Sequence, residues 1–234
     1  MKKSFATLAM LFMMSYTYAC TNFIATKGAT KDGSVLVTYN ADDYGLFTNL
    51  CHYPAGSHAK DARREIIDYD THESHGYIPE AQVTYNVIGN INEYQVSIGE
   101  TTYGGREEMV DKNGIIDYGS LMYLGLQRSK TAREAIKVMT TLAETYGYNS
   151  EGETFTIADP NEVWLLEMQG CGGDKKQKVV WVAVRIPDGM ISAHANQSRI
   201  GQFSTYPTEV ITSKNCISFA RSKGWFTGKD KDFN

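Results

Sequence analysis

Thr131-Ala132-Arg133-Glu134 is a capping box: the threonine caps a helix and the glutamate reaches back over its first turn. Behind it Ala135, Val138, Met139, Leu142 and Tyr146 recur at helical spacing, and Gly147 closes the run. A helix with one apolar stripe must lie on a sheet or on another helix, so this stretch dictates what surrounds it. The methionine and tyrosine on the stripe read as core, not as cofactor contacts. A partner helix is expected over 118–128, with Leu121, Leu124 and Gly125 on one side.

The flanks are rich in strand signals. Residues 21–26 and 34–39 surround the turn Lys31-Asp32-Gly33 and read as a hairpin. Residues 83–88 and 94–98, joined by 89–93, read as a second hairpin. After the helices come four strands, over 153–158, 163–168, 179–185 and 190–193, read as one sheet block. Asp159-Pro160-Asn161, residues 170–174 and Pro187-Asp188-Gly189 make their turns. Fifteen Tyr and 21 Gly suit strands and tight turns better than a bundle. Strands, then helices, then strands predict a layered α+β domain, not alternating βαβ units. Residues 51–80 are polar and mixed in charge and read as surface loop.

The start of the chain has a different logic. Lys2 and Lys3 precede an apolar run over 5–14, and Thr17-Tyr18-Ala19 ends it with small residues where a signal peptidase reads. Residues 1–19 are therefore expected to be a signal peptide, and the protein secreted or periplasmic. The apolar run is shorter than the roughly 20 residues that a membrane span needs. Cleavage after Ala19 leaves Cys20 first, with a free α-amine. Three readings are open there. The thiol could be acylated as a lipid anchor, although Thr17 stands where such leaders carry Leu. It could be a nucleophile whose own amine takes its proton, since an α-amine titrates at about 7.7–8.0 and a thiol near 8.5. Or a secreted protein simply begins with Cys.

Asn40-Ala41-Asp42-Asp43 follows the second strand and returns toward the chain start, a place for an orienting carboxylate or for an ordinary Asx turn. His72-Glu73-Ser74-His75 lacks the i, i+4 pair of a zinc-protease helix, and surface loop is the stronger reading. Gly99-Glu100-Thr101-Thr102-Tyr103-Gly104-Gly105 can line a pocket. Loss of the leader removes Lys2 and Lys3 and no acid, taking the formal charge from −4 to −6, which argues against nucleic acid. Cys20, Cys51, Cys171 and Cys216 are widely spaced with no C-x-x-C pair, so neither a zinc knuckle nor a disulfide framework is indicated. There is no glycine-rich phosphate loop and no G-x-S-x-G elbow.

Seven stretches taken together carry a resemblance. They are Ala19-Cys20-Thr21-Asn22, Lys31-Asp32-Gly33-Ser34, Asn92-Glu93-Tyr94, Gly99-Glu100-Thr101-Thr102, the run 157–164 from Ile157 to Trp164, the run 181–189 from Trp181 to Gly189, and His194-Ala195-Asn196-Gln197. In this order they resemble the secreted bacterial cysteine dipeptidases, N-terminal-nucleophile hydrolases related to penicillin V acylase and bile salt hydrolase. The resemblance implies a four-layer αββα sandwich of two antiparallel sheets over 20–234. It implies hydrolysis of dipeptides with a free amino end, with no metal and no cofactor. By it Cys20 matches the nucleophile, Asp42 the acid that holds the α-amine, and Asn196 the oxyanion donor. Partners are then small peptides, with self-association left open. Two departures stand out. Tyr39 replaces an arginine that in many relatives supports the thiolate, a role either absent here or filled by another base such as Arg106 or Arg199. Relatives also run about twice as long, so a fragment is expected. The alternatives are an acylase for other amides and a non-catalytic lipoprotein anchored at Cys20.

Overall fold

The computed structural model describes residues 20–42 and 50–234; the expected signal peptide and Asp43 lie outside the described residues. The described residues hold fifteen strands: β1 Thr21–Ala25, β2 Leu36–Asn40, β3 His52–Tyr53, β4 Gly56–Ser57, β5 Arg63–Ile67, β6 Ser74–Pro79, β7 Val83–Thr84, β8 Val87–Ile88, β9 Ile91–Asn92, β10 Ser97–Gly104, β11 Gly152–Ala158, β12 Val163–Gly170, β13 Val179–Arg185, β14 Ile191–His194 and β15 Val210–Thr212. Among the same residues three α-helices accompany them: α1 Tyr118–Arg128, α2 Ala132–Tyr146 and α3 Cys216–Ser222.

Two antiparallel sheets dominate this α+β fold. One has the order β14-β1-β2, the other β15-β13-β12-β11-β10-β9-β8-β3. The small sheet lies against β10, and the α1/α2 hairpin lies on the other face of the large sheet, α1 on β10 and α2 across β11 to β13. Every residue of β11 is buried, because that strand is covered on both faces. One apolar core sits under the helices, joining Leu121, Met139 and Ala143 to Phe155, Trp164, Leu166 and Met168. A smaller one lies between the sheets, with Ile24, Ala158, Val163, Leu165 and Ile186. The described residues thus build sheet, sheet and helices. The outer face of the small sheet leaves Phe23, Leu36 and Ile191 exposed.

Local chemistry explains most of these elements. Thr131 Oγ1 accepts from Glu134 N–H at 3.2 Å, and the Glu134 carboxylate accepts from Lys130 N–H at 2.8 Å, one residue before the cap. Gly147, at φ +85°, lets the chain leave α2. Asp117 caps α1 by accepting from Ser120 N–H at 2.9 Å.

Three expectations are corrected. Residues 51–80 are not loop: they form β3 to β6, with β5 and β6 paired as a hairpin. Alternating charge hid them, since Ile66 alone of β5 is buried. The second hairpin is tighter than expected, β8 to β9 turning at Gly89, and β10 runs on to Gly104. Finally, β14 does not join the sheet of β11 to β13. After Pro187-Asp188-Gly189 the chain crosses to the small sheet and pairs with β1. Asp188 Oδ1 accepts from Gly28 N–H at 2.6 Å, and Thr26 Oγ1 both donates to Met190 O and accepts from Met190 N–H, at 2.9 and 3.0 Å, which clips the crossing in place.

Candidate active site

The crossing of β14 creates the site. The β1/β14 ladder ends with Asn22 opposite His194, and Asn196, two residues past the end of β14, brings its side chain to the Cys20 sulfur. In the β1/β2 ladder Thr21 lies opposite Asn40, so Cys20 falls opposite Ala41, with Asp42 next. Cys20, Asp42 and Asn196 therefore meet at one end of the small sheet, and all three line a cavity of about 410 Å³. A larger cavity of about 800 Å³ shares Tyr69 and Asp70 with it but lacks this trio.

The wall facing Cys20 is the free edge of β10. Beyond Ile98 that edge has no strand partner, and three asparagines take its carbonyls. Asn90 Nδ2 donates to Ile98 O, Asn22 Nδ2 to Glu100 O, both at 2.9 Å, and Asn196 Nδ2 to Thr102 O at 2.6 Å. The contact is close: a Cβ on Gly99 would lie 2.5 Å from Asn22 Oδ1 and 3.0 Å from Tyr39 Cβ. Only glycine fits there.

Acid dominates the cavity. Asp42, Asp70, Glu100 and Glu151 line it with Tyr39, Tyr69, Tyr103 and Tyr118, and among the described residues no Lys, Arg or His does. Tyr39 Oη donates to Glu100 Oε1 at 2.6 Å, and Tyr118 Oη to Asp70 Oδ1 at 2.9 Å. Behind Glu100 sits Glu153, fully buried, accepting from Thr102 Oγ1 at 3.0 Å. Burial and the Glu100 charge hold the Glu153 carboxyl well above the ordinary range, so it keeps its proton. Glu100 Oε2 and Glu153 Oε1, otherwise buried without partners, are both satisfied if that proton lies between them.

Burial and the Glu100 charge push the Cys20 thiol up; the Asp42 backbone N–H and the Asn196 side chain oppose this by donating to sulfur. His194, two residues before Asn196, does not serve as a base. It is buried between Thr101 Oγ1 and Thr156 Oγ1, at 2.7 and 2.6 Å, and burial lowers its pKa to about 4. It is a neutral strut between the sheets.

The structure thus brings together all three residues singled out from sequence. The arginine substitutes are not there: Arg106 stacks over Trp225, 4.3 Å from the ring centroid, and Arg199 stands outside the cavity lining. Glu153 escaped the sequence reading, because a carboxylate inside a wholly buried strand leaves no periodic trace. Glu100 was visible only as part of a pocket-lining stretch. Cys20, Cys171 and Cys216 are free thiols.

The layout defines a class: two-sheet α+β proteins with a cysteine cleft where the small sheet meets the edge of the large one. The chain belongs to Peptidase family C69, whose family model matches residues 19–234. It is 26% identical to a "Probable dipeptidase" of Salmonella dublin, over 100% of this chain and 56% of the relative. It is 27% identical to a "Probable dipeptidase B" of Streptococcus pyogenes serotype M1, over 95% of this chain and 46% of the relative. The chain spans about half the length of these curated relatives.

Proposed function

We propose that this chain carries the nucleophile half of an exported cysteine dipeptidase, active once a leader is cut away before Cys20. The observation that carries the reading is the meeting of Cys20, Asp42 and Asn196, just past the ends of β1, β2 and β14, in one acidic cavity. Cutting the leader turns the Cys20 amide nitrogen into an amine on the same residue as the thiol. With no His, Lys or Arg lining the cavity, that amine is the base at hand. It takes the thiol proton as sulfur attacks the peptide carbonyl and the S–C bond forms. The Asn196 amide, held on Thr102 O, has a second N–H for the oxyanion. The C–N bond then breaks, the amine passes its proton to the leaving nitrogen, and water hydrolyses the thioester. Four carboxylates suit a substrate with a free ammonium end, and favour dipeptides over apolar acyl-amides.

The test is N-terminal sequencing and intact mass of the exported protein, then turnover of a dipeptide panel beside penicillin V and bile-salt amides. A Cys20 start without lipid, dipeptide turnover, and its loss in Cys20→Ala with the fold intact are expected. A different start, an acylated Cys20, or unchanged turnover in the variant ends the reading.

A further inference from the structure

We propose that Asp68, His75 and Asp117 form a binding site for one divalent transition ion, of Zn²⁺ type, that ties the β5/β6 hairpin to the start of α1.

The three residues come from separate elements: Asp68 follows β5, His75 lies in β6, and Asp117 caps α1. One ligand atom from each lies within 4.8 Å of the others, and His75 Nε2 is 3.7 Å from Asp68 Oδ2. Three ligands at Zn²⁺ bond lengths would stand roughly 3.4 Å apart in a tetrahedron. The site therefore needs a contraction of at most about 1.4 Å at its widest edge.

A second observation sets this group apart from an ordinary acidic cluster. Asp117 is 1% exposed and its Oδ2 has no hydrogen-bond partner. Its Oδ1 is fully used, accepting from Ser120 N–H at 2.9 Å and Tyr69 N–H at 3.3 Å. Oδ2 is the oxygen left over, buried and without a hydrogen-bond partner. Leaving a buried carboxylate oxygen unpaired is costly, and a cation there removes the cost.

Asp68 is held the way a metal ligand is held, by its far oxygen. Asp68 Oδ1 accepts from Thr71 N–H, Thr71 Oγ1 and Asp70 N–H, at 2.7, 2.9 and 3.1 Å. The side chains of His75 and Asp68 remain 18% and 13% exposed, which gives an entry path. One imidazole and two carboxylates suit Zn²⁺ better than Ca²⁺, whose sites are built of oxygen.

The position gives the site a purpose. Asp68 precedes Tyr69 and Asp70, and Asp117 precedes Tyr118, all three of which line the Cys20 cavity. A metal joining Asp68 to Asp117 would fix that wall from behind, alongside the bond from Tyr118 Oη to Asp70.

The experiment uses the full chain, dialysed against chelator and then titrated with Zn²⁺, Mn²⁺ or Ca²⁺ by calorimetry and thermal melting. One Zn²⁺ per chain is expected, with Tm raised by about 5–10 °C at a hundredfold excess over Kd. His75→Gln should weaken binding at least tenfold, and so should Asp117→Asn, which keeps the cap because Asn caps as well as Asp. Absence of binding, preference for Ca²⁺, or equal affinity in both variants overturns the proposal. A thiolate charge-transfer band with Co²⁺ would place the metal on a cysteine and also overturn it. The readouts are binding and melting, so they stand or fall apart from any dipeptidase activity.

Discussion

His194 shows how much a single side chain can carry without touching chemistry. Its folded pKa of about 4 lies below the ordinary 6.5 because it is buried neutral between two threonines. A depressed histidine stabilises fully above the unfolded pKa, and that stability drains as pH falls from about 6.5 toward 4. The loss should reach about 3 kcal/mol. Urea midpoints between pH 7.5 and 4.5 would show it, and His194→Gln, which can still reach both hydroxyls, should flatten the slope. An equal fall in the variant would acquit His194. Glu153 has the opposite sign. Its raised pKa means the folded state holds a proton that the unfolded state gives up, so its contribution is present at acid pH and lost as pH rises. Glu153→Gln should stabilise on the order of 1–2 kcal/mol at pH 8 and gain less at pH 4.5, read by the same titration.

Elements differ in what a defect in them costs. Thr131→Ala removes the α2 cap and should cost about 1 kcal/mol, with turnover unchanged because α2 lies on the face away from Cys20. Thr26→Val strips the two side-chain bonds to Met190 and should cost about 1–2 kcal/mol. Its effect on turnover should be the larger, since the β1/β14 register places Asn196. Equal turnover in the two variants, compared in urea melts and kinetics, would deny the ladder its role. The same contrast marks what could be read from the chain in advance. Helix α2 announces itself through cap, stripe and glycine, all local. Strands β11 to β13 do so through length and apolar content. The partner of β14 could not be read, because Ile191-Ser192-Ala193-His194 has the same pattern whichever sheet it joins. Strands of two residues, such as β3, β4 and β7 to β9, are too short to alternate. Cys20 was legible from the leader, Asp42 as one of two readings of a strand end, Asn196 only through resemblance, and Glu153 not at all until register laid it diagonally across from Glu100.

For the molecule as a whole, the two faces of the small sheet tell different stories. The inner face is packed, while Phe23, at 60% exposure, and Ile191, at 77%, stand on the outer face uncovered by any described residue. An αββα sandwich puts helices over such a face. Until something covers it, the chain should self-associate, and Phe23→Ser with Ile191→Ser should shift sedimentation toward monomer; identical profiles would show that the face is already covered. The crossing strand has a further consequence, in the order of synthesis. Asn196 leaves the ribosome 176 residues after Cys20, so at about 5–20 residues per second the thiol spends many seconds without its neighbour. Under the proposed function, the site waits on β14, and any truncation short of that strand would keep the sulfur and lose the amide donor.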